Sequence, residues 1–127
     1  MDILAAAVAT GVLAALAVLQ ALVATGRPYG RFVWGGQHDT LPRRLRIGSA
    51  VSIALYAAMA AVLVARTGAD GSSSSGSSFV RGATWVLAVY FLLGVALNAA
   101  SRSRAERMVM TPTTVVLAVC ALILATG

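Results

Sequence analysis

The chain has almost no charge. Asp, Glu, Lys and Arg make up 11% of its 127 residues, against about a quarter in an ordinary soluble domain. A water-soluble helical fold needs a polar outer face on every helix, and the long apolar runs here have none. Hydrophobic residues reach 59% and the mean hydropathy is +0.86, which argues against a soluble domain. There is one cysteine, Cys120, inside an apolar run. A single thiol closes no internal disulfide and no metal motif surrounds it, so it reads as a small buried or lipid-facing hydrophobe. There is one histidine, His38, so no second imidazole can share a metal. Neither a metal nor a cofactor is expected. Phosphate loop, nucleophile elbow, zinc signature and haem motif are all missing. Lysine is missing too: all ten basic residues are arginine, and the net charge is +6. On a soluble protein that balance would suggest nucleic acid. Here the arginines sit between apolar runs, so membrane topology explains them better and no nucleic-acid partner is expected.

What is present is a set of four charge-free runs, at 3–25, 47–65, 82–101 and 108–127. A helix needs about 20 residues at ~1.5 Å each to cross a ~30 Å hydrocarbon core, and each run meets or nearly meets that length. The fourth is the weakest, because Thr111, Pro112, Thr113 and Thr114 shorten its apolar part. The expected fold is an all-α integral membrane four-helix bundle, with residues 1–127 as a single membrane domain. Its connections are a turn at 26–46, a flexible Gly/Ser loop at 67–81 and a short turn at 102–107. None of the four runs contains Asp, Glu, Lys, Arg or His. Proton- and ion-coupled carriers usually put such a residue mid-membrane, which discounts a proton-coupled exporter.

Orientation follows the arginines. The first turn carries Arg27, Arg31, Arg43, Arg44 and Arg46 against Asp39, and the third connection carries Arg102, Arg104 and Arg107 against Glu106. With four spans these two turns share one side. The other side holds Asp2, Arg66, Asp70 and Arg81 and is neutral. The arginine-rich side is expected to be cytoplasmic and both termini extracytoplasmic, in a bacterial inner membrane. A cleaved signal peptide would start with positive charge. This chain starts Met-Asp-Ile and has its arginines after the first span, so that span is expected to stay.

Local signals refine the picture. Small residues recur at helical spacing in Ala7-xxx-Gly11-xxx-Ala15, Ala50-xxx-Ala54-xxx-Ala58, Ala57-xxx-Ala61-xxx-Ala65, Gly94-xxx-Asn98 and Ala96-xxx-Ala100. Close packing at such rows drives helix association in lipid, so they are expected to pack the bundle, with a homo-oligomer face as the alternative. Pro42 suits the first turn of the second helix. Ser103-x-x-Glu106 matches a capping box, and Thr111-Pro112 offers a second start. The fourth segment is therefore either a short interfacial helix followed by a span or one kinked helix.

Candidate chemistry concentrates in the polar stretch 25–48. His38 and Asp39, after Gly35-Gly36, could transfer protons together with Glu106; the plainer reading is a surface turn in which Asp39 caps helix two or pairs with Arg43. Arg43, Arg44, Arg46, Arg102, Arg104 and Arg107 could hold an anion by two-point guanidinium contacts. More plainly, they set topology and touch anionic lipid headgroups. Gln20 and Asn98 are the strongest hydrogen-bonding side chains within the spans. They either bond across helices or form a polar floor beneath the turn, with Tyr29, Phe32 and Trp34 as walls. Trp34 and Gln37 complete the ligand-contact candidates.

The pattern W-G-G-Q-H (Trp34–His38), Leu41-Pro42, Leu45-Arg46, then Asn98, Ser101–Ser103, Glu106-Arg107 and Pro112 resembles a set of small bacterial four-span membrane proteins with no assigned activity. The resemblance covers most of the chain apart from the Ser-rich loop. It implies a four-helix membrane protein and no chemistry. The arginine-only, alanine-rich composition also looks like that of a high-GC bacterial genome. Two functions are therefore expected to compete. One is a structural or accessory subunit that partners another membrane protein or itself. The other is a binding or enzymatic site for an anionic amphipathic small molecule at the cytoplasmic interface.

Overall fold

The structure is a computed structural model and describes residues 2–69, 71 and 76–127. Four helices follow one another: α1 (Asp2–Ala24), α2 (Arg43–Thr67), α3 (Ser78–Ala99) and α4 (Arg104–Thr126). Among the described residues there is no strand. All four helices are long and apolar enough to cross a membrane, so the expected all-α four-helix membrane bundle is the observed fold.

The helices run past the arginines that bound the charge-free runs. α2 starts at Arg43, not at 47, and α3 starts at Ser78, not at 82. An arginine stem can lie along a helix while its head stays in water, so charge marks the edge of the apolar layer rather than the end of the helix. Residues 70 and 72–75 of the expected flexible Gly/Ser loop lie outside the described residues.

The helix ends have local causes. α1 closes in a Schellman motif: Arg27 N–H donates to the Leu22 carbonyl at 2.9 Å and Gly26 N–H to that of Val23 at 3.2 Å. Arg46 Nε then reaches the Ala24 carbonyl at 2.7 Å, a cation on the negative end of the α1 dipole. Pro42 is not in the first turn of α2 but is its N-cap, and no side chain caps that helix. Asp39 therefore does not serve as the cap. Ser77 caps α3 by accepting from Val80 N–H at 3.1 Å. α4 is one continuous helix with Pro112 inside it, which settles the choice left open by Thr111-Pro112.

α1 and α2 form one hairpin, α3 and α4 the other, and α1 packs on α4 to join them; α2 and α3 touch far less. At one end Arg66 donates to the Gly127 carbonyl at 2.8 Å, and Gly127 lies against the Asp2 carboxylate. The turn between α1 and α2 meets the start of α4 at the other end. The helices thus run up, down, up, down. Ala5, Ala9, Leu13, Leu63, Phe91, Leu117, Ala121 and Leu124 build the main core.

Most of the small-residue rows do not pack this core. Ala7, Gly11 and Ala15 are exposed, as are Ala50, Ala54, Ala57, Ala58, Ala61, Ala96 and Ala100. α1 turns Ala5, Ala6, Ala9 and Leu13 inward instead. The reason is Gln20. It is buried on that same face, and an amide in hydrocarbon needs a partner. In a helix that is apolar all round, one polar residue fixes the rotation. Only the Gly94–Asn98 row faces a neighbour, with Gly94 against Thr114.

Candidate functional site

The polar stretch between α1 and α2 is an ordered lid. Two short 3-10 turns, Gly30–Phe32 and Trp34–Gly36, fold it back over the arginine-rich end of the bundle. Gly30 N–H donates to the Asp39 carbonyl at 2.8 Å and closes the loop. The approach is so tight that a Cβ on Gly30 would run into the His38 carbonyl. Trp34, Gly35 and Gly36 all have positive φ, at 52°, 74° and 69°. Only glycine adopts this region at little cost, so a tryptophan there must be held by its surroundings. Its ring lies on Gly48, and its Nε1–H donates to Ser49 Oγ at 2.9 Å. Val33 and Leu41 anchor the lid from beneath, in a small second core with Val23 and Met110.

The lid is tied to α4 by both members of the expected capping box. Ser103 Oγ accepts from Glu106 N–H at 3.2 Å, as a cap should. The reciprocal half of the box is missing. The Glu106 carboxylate turns away from the Ser103 backbone and accepts from Gly35 N–H at 3.1 Å. Ser103 Oγ also donates to the Arg31 carbonyl at 2.7 Å. The motif seen in the sequence as a helix start thus also joins the two hairpins. A bond from a backbone N–H to a carboxylate contributes about 1.5–3 kcal/mol, the same kind of bond as the local one it replaces, and here it joins two distant segments.

Beneath the lid is a cavity of about 380 Å³. That falls in the ~300–1,000 Å³ range of small-molecule sites. Phe32, Val33 and Trp34 form its roof, and the helices supply its walls. Its floor is polar. Gln20 Nε2 donates to Tyr56 OH at 3.3 Å, from α1 to α2. Asn98 Nδ2 donates to Thr114 Oγ1 at 2.7 Å, from α3 to α4. Both amides therefore bond across helices and line the cavity at once. Its mouth lies in the sparse α2–α3 seam, where Tyr90, Leu93 and Leu97 are exposed. The same seam holds an apolar groove further along, between Leu55, Met59, Phe79 and Leu87.

The sequence candidates divide sharply. Trp34, Asn98 and Glu106 line the cavity, together with Gln20 and Phe32. Gln37, His38 and Asp39 do not, and neither does Tyr29. None of Arg43, Arg44, Arg46, Arg102, Arg104 or Arg107 lines it. All six are exposed; Arg46 is engaged with the end of α1, and Arg107 donates to the Ser101 carbonyl at 3.0 Å. A proton-transfer set of His38, Asp39 and Glu106 is not assembled around this cavity. Among the described residues no three His, Cys, Asp or Glu side chains come together as a metal site.

Tyr56, Tyr90 and Phe91 were missed in the sequence. A signal existed for the first two: they are the chain's only tyrosines within apolar runs, and a phenol deep in hydrocarbon needs a hydrogen-bond partner. Comparison of the chain with protein families, with curated proteins and with solved structures finds no match.

Proposed function

We propose that this is a multi-pass protein of a bacterial inner membrane that binds a small amphipathic molecule in the cavity under its lid. One observation carries this reading. In a bundle with few polar side chains, Gln20, Asn98 and Glu106 converge on a single ligand-sized cavity. Polar groups in the lining and a seam of exposed leucines at the mouth suit a molecule with a polar head and an apolar body. Native mass spectrometry from lipid nanodiscs tests it. The wild type is expected to retain a defined extra mass. Ser52→Phe, which fills the cavity from α2, is expected to lose that mass with helix content unchanged. Retention by Ser52→Phe of the same mass would remove the cavity as its site.

The lid end is proposed to be cytoplasmic, with both termini outside, because the arginine excess gathers there. Exposed arginines at that end also suit anionic headgroups, at ~1 kcal/mol each. In a Cys120→Ala background, an impermeant thiol reagent on intact cells is expected to label Gly76→Cys and spare Thr40→Cys. The reverse labelling would invert the topology.

A second reading, an accessory subunit or homo-oligomer, is favoured by the outward rows Ala7, Gly11, Ala15 and Ala50, Ala54, Ala58. Such rows let another helix approach closely.

A further inference from the structure

The charge of the cavity's occupant can be read from its lining. We propose that the cavity is a site for a small organic ammonium ion with an aromatic or short alkyl body. The inference rests on the cavity being a binding site, as proposed above, and adds the class of ligand.

Among the described residues Glu106 is the only charged one in the lining, and it is 8% exposed. Its Oε2 receives one backbone hydrogen bond, from Gly35. Among the described residues no donor reaches its other oxygen. The start of α4 offsets part of this negative charge through the helix dipole, but a buried carboxylate still lacks a counter-ion. The chain has ten arginines, and not one lines the cavity. An anion entering here would meet a like charge, whereas a cation would supply the missing partner.

A second acceptor is vacant. Gln20 is 7% exposed and spends its amide N–H on Tyr56. Its Oε1 is buried with no hydrogen-bond partner. Leaving such an acceptor unmade costs about 1–3 kcal/mol, but this oxygen is closed off from the open space of the cavity, so Glu106 is the acceptor that a ligand cation meets. An ammonium brings three N–H donors and no acceptor. An alcohol offers a single donor and a carboxylate offers none.

The walls point the same way. Only 6% of the chain is aromatic: three Phe, two Trp and three Tyr. Five of these eight, Phe32, Trp34, Tyr56, Tyr90 and Phe91, line this one cavity. Phe32 already holds the Arg31 guanidinium over its ring, at 4.6 Å from the centroid; the other four rings are the ones that can attract a ligand cation and pack an apolar ligand body. A neutral hydrocarbon would use these walls but leave the Glu106 carboxylate without a counter-ion.

The test uses three ligands of one shape and different charge: phenethylamine, phenylethanol and phenylacetate. Binding is read from Trp34 fluorescence in a Trp85→Phe background, in nanodiscs of zwitterionic lipid, with empty nanodiscs subtracted. The amine is expected to bind about tenfold tighter than the alcohol, and the acid weakest, the scale of one charge-assisted hydrogen bond. In Glu106→Gln, which keeps an acceptor for Gly35 N–H, the preference for the amine is expected to vanish. Unchanged Trp34 emission without ligand checks that this variant keeps its lid. If the alcohol or the acid binds as well as the amine, or if the preference survives Glu106→Gln, the charge assignment falls and the cavity remains a binding site. If none of the three perturbs Trp34, both readings fall.

Discussion

Gly36→Ala is expected to lift the lid off α4, whereas Gly35→Ala is expected only to strain it. Both glycines sit in the left-handed region, at φ 69° and 74°, so each alanine carries about 1–2 kcal/mol of backbone cost. Their surroundings differ. A Cβ on Gly35 meets nothing within 4 Å, while a Cβ on Gly36 would overlap Ser103 and come within 3.0 Å of the Arg31 carbonyl. Ser103 cannot yield cheaply. Its hydroxyl caps α4 and holds the Arg31 carbonyl at 2.7 Å. Overpacking adds about 1–3 kcal/mol, and relief requires parting the lid from the helix. Hydrogen exchange is the measurement. The Gly35 amide, bonded to Glu106, should lose protection in Gly36→Ala. The two variants are measured against wild type for lid protection and stability. Equal effects would show that the lid is not seated on Ser103.

Gly94→Leu is expected to be the most damaging substitution within the helices. The α3–α4 contact is the most extensive in the bundle, and a Cβ on Gly94 would come within 3.0 Å of Thr114 Cγ2. The same threonine receives the Asn98 hydrogen bond at 2.7 Å. A wedge here costs about 1–3 kcal/mol from overpacking. Loss of the interhelical bond adds roughly 0.6 kcal/mol more. Ala54→Leu is the control. Ala54 is exposed, and a surface change of this kind stays within about 0.5 kcal/mol. Unfolding in mixed micelles, followed by circular dichroism, separates the two. A larger effect at Ala54 than at Gly94 would mean that the outward face of α2 packs against something. That would favour the accessory-subunit or oligomer reading over a lone bundle.

The number of helices, their approximate places and the end at which the arginines gather were legible in the sequence. These depend on local quantities. An apolar run either is or is not long enough to cross hydrocarbon, and an arginine resists entering it wherever it stands in the chain. The Ser103 cap was legible for the same reason, because its partner lies three residues away.

Which face of each helix turns inward was not legible. In water, the hydrophobic stripe of a helix announces its buried side. These helices are apolar all round, so that signal is nearly flat, and the small-residue rows that seemed to mark the interfaces are mostly exposed. Gln20 and Asn98 hold two of the rotations, and their partners Tyr56 and Thr114 are 36 and 16 residues away. The candidate site has the same history. The sequence reading grouped Glu106 with His38 and Asp39 for proton transfer, and proximity set it beside three arginines. Tertiary packing instead sent Glu106 to the Gly35 amide, 71 residues away, and set it among aromatics drawn from the lid, α2 and α3. The sequence by itself determined a four-span bundle with one cationic end, because hydrophobic length and charge are properties of each segment alone. Only the tertiary structure decided that this end is closed by a lid over an aromatic cavity with one carboxylate. That arrangement follows from close approach and hydrogen bonding between segments far apart in the chain.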